Sequence, residues 1–133
     1  MLSLANRRIF IAREPIDMRR GIDTLSGVIS GTFQRDPYQG DVFVFLGRDR
    51  RRVKILVWDR SGFWLSMKRL ESGRFAQPPA PAVDVTGHPI QPLSAAELEM
   101  VLEGIVVHHA TYHTHYNRAS IQHVEQGALT SGN

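Results

Sequence analysis

The 133-residue chain contains no cysteine. Disulfide staples, a thiolate zinc site and a cysteine nucleophile are therefore excluded. Long apolar runs are missing too. The densest, Val42 to Leu46, is five residues, against the ~20 that a membrane-spanning helix needs. The N-terminal stretch MLSLANRRIF has arginines where a secretory signal requires an apolar core. The expectation is a soluble, cytoplasmic protein without a membrane partner. No internal repeat appears, nor a glycine pattern for cradling phosphate or a dinucleotide. Ser61, Ser66 and Ser72 lack the flanking residues of a nucleophile elbow. Lysine is scarce, supplying two of the 16 basic residues.

What is present fits a folded chain. The apolar share is 42% and the charged share 22%, close to globular averages. The expected organisation is one α+β domain over residues 1–107, followed by a His-rich, partly flexible extension over 108–133. Net charge is +3, with a telling distribution. Residues 1–41 carry +1 and residues 76–133 carry −4, so residues 42–75 carry +6. Arginine dominates that middle, and its planar fork suits phosphate and base edges. A solvated surface is the alternative source of such a pattern.

The middle reads as three strands. Val42–Leu46, Arg52–Asp59 and Phe63–Leu70 are rich in β-branched and aromatic residues. Gly47–Arg51 and Asp59–Gly62 supply short polar turns, which argues for an antiparallel meander. Val53, Ile55 and Val57 alternate with Lys54, Leu56 and Trp58. Both faces are largely apolar, as in a central strand covered on two sides. Residues 8–13 add a further short strand, closed by Glu14-Pro15. Ile22, Leu25, Val28, Ile29 and Phe33 have helical spacing, predicting a helix over about 22–34 that starts at Asp17 or Asp23. Gly27 and Gly31 weaken it, or admit another backbone closely. A helix over about 94–105 begins at Ser94 with Glu97 as its capping-box partner. Between the meander and this helix lie a proline-rich connector, 75–81, and a short strand expected at 83–85.

Catalysis by paired carboxylates could draw on Asp17, Asp23, Asp36, Asp41, Asp49 and Asp59, six of the seven aspartates in the chain. Most stand at predicted turns or caps, where aspartate bonds backbone amides. The chain is also short for an RNase H-like catalytic domain, and its meander lacks alternating crossover helices. His109 and His113 would share a helix face, whereas His113 and His115 would share a strand face, so no one conformation unites the group. No catalytic residue, resident metal or cofactor is expected.

Several ordered stretches carry a resemblance. They are Asp17-Met-Arg-Arg-Gly-Ile-Asp23, Asp36-Pro-x-x-Gly40, Val53-Lys-Ile-Leu-Val-Trp-Asp-Arg-Ser-Gly-Phe-Trp-Leu65, Lys68-Arg-Leu-Glu-Ser-Gly-Arg-Phe75 and Leu102-Glu-Gly-Ile105. Over roughly residues 8–105 the chain resembles the second-open-reading-frame protein of insertion sequence 66 elements. That is the short TnpB-type accessory protein, distinct from the large RNA-guided nuclease of the same name. The resemblance implies an auxiliary part in transposition and supplies no reaction.

Charge adds a second expectation: nucleic acid, in that setting DNA, is contacted by Arg48, Arg50, Arg51, Arg52, Lys54, Lys68, Arg69 and Arg74. Phe43, Phe45, Trp58, Phe63, Trp64 and Phe75 are interleaved with them and offer stacking surfaces unless they pack in the core. The alternative is a protein-interaction subunit that binds the transposase or self-associates without touching DNA. Other proteins of the same element, and further copies of the chain forming a homo-oligomer, are the expected partners.

Overall fold

Val42-Phe-Val-Phe-Leu46 has no polar side chain, so a strand there must be covered on both faces. A computed structural model describes residues 2–105 and shows how this is done. The strands are β1 (Ile9–Ala12), β2 (Val42–Leu46), β3 (Arg52–Asp59), β4 (Gly62–Arg69) and β5 (Ile90–Leu93). Helix α1 (Ile22–Gly31) lies between β1 and β2, and α2 (Ala95–Glu103) follows β5. The sheet order is β4-β3-β2-β1-β5, and all five residues of β2 are buried at its centre.

The α+β class, the two helices and the β2-β3-β4 meander agree with the sequence reading. The sheet is nevertheless mixed. Strand β1 pairs parallel to β2, with Ile9 opposite Val42 and Ile11 opposite Val44. The reason is the intervening α1: a helical crossover returns the chain to the same end of the sheet, which a tight hairpin does not do. The central strand is thus β2, with β3 one place further out.

Alternation on these strands sends two sets of side chains to two cores. Ile9, Ile11, Val42, Val44, Val53 and Val57 face Leu98 and Val101 of α2, together with Phe75. Phe43, Phe45 and Leu56 face Leu25 and Ile29 of α1. The α1 side is aromatic: Phe10 stacks on Phe43 with centroids 5.8 Å apart, and Phe33 stacks on Phe45 at 5.9 Å. Such pairs contribute ~0.5–1.5 kcal/mol beyond their buried area.

Several boundaries move for identifiable reasons. Neither Asp17 nor Asp23 caps α1; the N-cap is Gly21, without a side-chain bond. Asp17 instead accepts from the Arg19 backbone N–H at 2.9 Å. Helix α1 ends at Gly31, and Phe33, expected inside it, turns out of the helix to pack on Phe43 and Phe45. Nothing lies within 4 Å of a Cβ built on Gly27 or Gly31, so neither glycine admits a close backbone. Residues 83–85 form no strand, because Asp84 accepts from Thr86 N–H and turns the chain there. The edge strand is instead β5, whose Pro92 sits opposite Phe10. An edge position tolerates a proline that a central strand would not.

Helix α2 begins as expected. Ser94 Oγ accepts from Glu97 N–H at 3.0 Å, and Glu97 Oε1 accepts from Ser94 N–H at 2.9 Å. It ends two residues before the expected 105. Gly104 adopts φ +81°, and Ile105 then bridges to Arg74, whose N–H donates to the Ile105 carbonyl at 2.9 Å. A Cβ on Gly104 would lie 2.9 Å from Leu70 Cδ1 and 3.0 Å from the Arg74 carbonyl oxygen. Backbone conformation and close approach therefore both require glycine here. The expected extension, 108–133, lies outside the described residues.

Two substitutions on α1 test this packing in opposite directions. Gly27→Ala meets only open space and should stabilise by about 0.5–1 kcal/mol. Leu25→Ala empties a fully buried position and should destabilise by about 2–5 kcal/mol. Urea denaturation midpoints check both.

Candidate nucleic-acid interface

The predicted cations gather because β2 and β3 are joined by the turn 47–51. Gly47 N–H donates to the Arg52 carbonyl, Arg50 N–H to the Gly47 carbonyl, and Arg51 N–H to Asp49 Oδ1, each at 3.0 Å. The segment after β4 then clamps the turn from outside. Leu70 N–H donates to the Arg51 carbonyl at 2.9 Å and Phe75 N–H to the Arg50 carbonyl at 2.7 Å. Every one of these bonds uses backbone or Asp49, so the guanidinium groups are left over. Among the described residues, Arg48, Arg50, Arg51, Arg52 and Arg74 form neither an ion pair nor a side-chain hydrogen bond.

These side chains line three adjoining concavities at one end of the sheet. Arg50, Arg51 and Arg74 share one with Glu71. Arg48 and Arg52 share the next with Asp17, Arg19 and Asp49. Arg48 and Arg50 line the third with Arg13, Glu14 and the Pro78-Pro79 connector. Arg52 and Arg69 stand directly opposite each other on β3 and β4. Like charges in that position cost stability, and only Arg69 is offset, by Glu71 at 3.0 Å.

The two lysines are employed differently. Lys54 Nζ donates to the Arg20 carbonyl at 2.7 Å, tying the entry of α1 to β3. Lys68 points to the opposite face, where its Nζ donates to the Leu102 carbonyl at 3.3 Å near the end of α2. The eight predicted residues thus share an end of the sheet rather than a face. The sequence reading missed Arg13, Arg19 and Arg20. Arg20 lines a further hollow with Arg48 and is unpaired among the described residues. The parallel return of β1 brings residues 13–20 beside the turn, as the 3.0 Å bond from Ile16 N–H to the Leu46 carbonyl shows. The helix predicted between the two strands was the available signal for that return.

The far end of the sheet is the reverse. Arg7 pairs with Asp59 at 3.3 Å, and Arg8 and Arg35 both reach the buried Asp41, at 2.9 and 3.5 Å. Arg35 also lies 4.1 Å over the Phe10 ring. Near the basic end the Arg19 guanidinium donates to Asp17 and holds its carboxyl well below the usual carboxylate range, so that pair is internally neutral. Asp36 is likewise lowered, first by Gln39 and then by the Tyr38 amide. Five of the six candidate aspartates therefore serve turns or ion pairs, as does Asp84. Among the described residues no group of three or more histidine, aspartate or glutamate side chains is placed to hold a metal. The histidines at 108–115 lie outside them.

The aromatics do not stay with the cations. Phe43, Phe45 and Phe75 are fully buried. Trp58 and Phe63 pack edge-on at 5.0 Å, with Tyr38 against both. Trp58 is six residues along β3 from Arg52, or about 20 Å at strand rise. Interleaving along the sequence becomes separation in space.

A small mixed sheet with one helix on each face and a concentrated cationic end defines the class. The chain belongs to the IS66 Orf2-like protein family, which matches residues 7–112. That span runs past the resemblance read from the motifs and takes in His108 and His109. Two relatives come from Sinorhizobium fredii (strain NBRC 101917 / NGR234). The uncharacterized protein y4jC is 44% identical over 72 residues, covering 54% of this chain and 62% of the relative. The uncharacterized protein y4hO is 34% identical over 100 residues, covering 75% of this chain and 82% of the relative. The chain thus spans less than two thirds of the first and over four fifths of the second. No solved structure matches. No helix among the described residues is long and apolar enough to cross a membrane. Family membership supports a role in insertion-sequence transposition.

Cations that do not serve the fold should be removable without loss. Arg52→Thr should leave stability within about 0.5 kcal/mol of the parent or raise it. Asp41→Ala strips Arg8 and Arg35 of their buried acceptor and should cost about 1–3 kcal/mol. Urea denaturation of the two variants side by side reads the contrast.

Proposed function

We propose that this chain is a non-catalytic accessory protein of transposition that holds DNA by its phosphates at the arginine-rich end of the sheet. The observation that carries this reading is the convergence of Arg48, Arg50, Arg51, Arg52 and Arg74 without an acid partner among the described residues. At the far end of the sheet Arg7, Arg8 and Arg35 each reach a carboxylate, and Arg60 stands there as a single cation without one among the described residues. One detail favours the same conclusion. Arg52 and Arg69 are kept opposite each other despite the repulsion. Sequence that works against local stability marks a functional site more often than an accident.

The chemistry is that of contact rather than reaction. Guanidinium groups bind phosphate oxygens in bidentate fashion, and such contacts fix position without reading bases. Buried Phe43, Phe45 and Phe75 leave no stacking platform beside the arginines, so recognition is weakly sequence-specific. The engagement of five aspartates in turns and ion pairs favours the non-catalytic part of the reading.

The test is a low-salt DNA titration with a matched control. Combined Arg50→Glu, Arg51→Glu and Arg52→Glu should lower affinity at least 100-fold. Arg60→Glu, an exposed cation in the turn at the far end of β3, should change it less than threefold. Unchanged affinity in the triple variant removes the reading. Nuclease-resistant recovery of the element's transposase by that variant would move the function to protein contact.

A further inference from the structure

Strand β4 closes one side of the sheet with eight residues, Gly62–Arg69, paired without interruption to β3. Its other edge has no strand beside it among the described residues. Natural edge strands are commonly shortened, bulged, broken by proline or charged; β4 has only the last, at one end, in Lys68 and Arg69. It also exposes Trp64 and Met67, each by more than half. We propose that this edge joins β4 of a second copy of the chain in antiparallel fashion, centred on Ser66, to make one continuous ten-stranded sheet.

Backbone direction fixes the register. The bond from Leu70 N–H to the Arg51 carbonyl makes the even-numbered residues of β4 the ones that bond inward to β3. Phe63, Leu65, Met67 and Arg69 therefore direct their N–H and C=O groups at the free edge. A twofold pairing must set odd residues against odd residues. Centring on Ser66 uses all four of them, whereas centring on Leu65 leaves Arg69 beyond the end of the partner strand.

That register is also complementary in charge. It sets Trp64 beside Lys68 of the second copy on the α2 face, a non-hydrogen-bonded pair whose side chains stand close. On the α1 face it sets Phe63 beside the second copy's Arg69, and Leu65 beside Met67. Each cation is set beside an aromatic ring and the exposed Met67 beside the half-buried Leu65, with like charges kept apart. The self-association carries no dependence on DNA contact at the turn.

The absence of cysteine gives a direct test. At the twofold centre, two Ser66 residues form a non-hydrogen-bonded pair with Cα atoms about 4.5 Å apart, within disulfide range. In the full chain, Ser66→Cys should yield a covalent dimer under mild oxidation, and Ser30→Cys on α1 should not. Sedimentation equilibrium at about 50 μM should give twice the 15.0 kDa chain mass. Trp64→Lys, which opposes two lysines, should return it to one mass, and Trp64→Lys with Lys68→Glu should restore the dimer. A monomeric parent, as when residues 106–133 cover the edge, overturns the proposal. So does a dimer that ignores Trp64→Lys and gives no Ser66 cross-link.

Discussion

Strand β2 has nothing polar to offer solvent, and that constraint organises the molecule. Phe43 and Phe45 point to one side while Val42, Val44 and Leu46 point to the other, and all five are buried. Covering the first side needs α1, which must cross from β1 and so makes β1–β2 parallel. Covering the second needs α2 and Phe75, which draws the chain back across the sheet after β4. The return path passes over the 47–51 turn and clamps it through the Arg50 and Arg51 carbonyls. An apolar strand thus determines where a cationic turn is displayed.

The two ends of the sheet divide the work of the arginines. At one end Asp41 and Asp59 take up Arg7, Arg8 and Arg35, and charge contributes to holding β1, β2 and β3 together. At the other end backbone bonds do the holding, so the guanidinium groups contribute little to the fold. Rigid presentation without side-chain commitment is the condition for a surface that must meet a polyanion, since side chains already positioned by their backbone lose less freedom on binding. Of the acids near this end, Asp17 is occupied by Arg19, Glu71 by Arg69 and Asp49 by the Arg51 amide, which leaves Glu14 unpaired among the described residues.

Local signals in the sequence were legible where one residue type does one job. The Ser94–Glu97 box, the two turns flanking β3 and the alternation along β3 all stand as read. What the sequence concealed was long-range. Nothing within residues 8–13 themselves states that β1 lies parallel to β2; only the helix predicted between the two strands signals the return that brings Arg13, Arg19 and Arg20 to the turn. Pro92 disguised β5, because its tolerance depends on being at an edge, and an edge is a property of the whole sheet. All eight candidate cations stand at one end of the sheet, but only Arg48, Arg50, Arg51, Arg52 and Arg74 have unengaged side chains among the described residues. Lys54 and Lys68 reach carbonyls outside their own strands, and Arg69 pairs with Glu71. Charge counting along a chain is blind to that difference, and equally blind to the distance between Trp58 and Arg52.

Phosphate contact at the arginine-rich end is best probed by ionic strength. Each phosphate neutralised releases condensed counterions, so log affinity falls with log salt by about 0.9 per contact on duplex DNA. Five unpaired arginines predict a slope of about −4 to −5 for the parent chain, nearly the same for unrelated duplex sequences. A slope near zero would contradict the account.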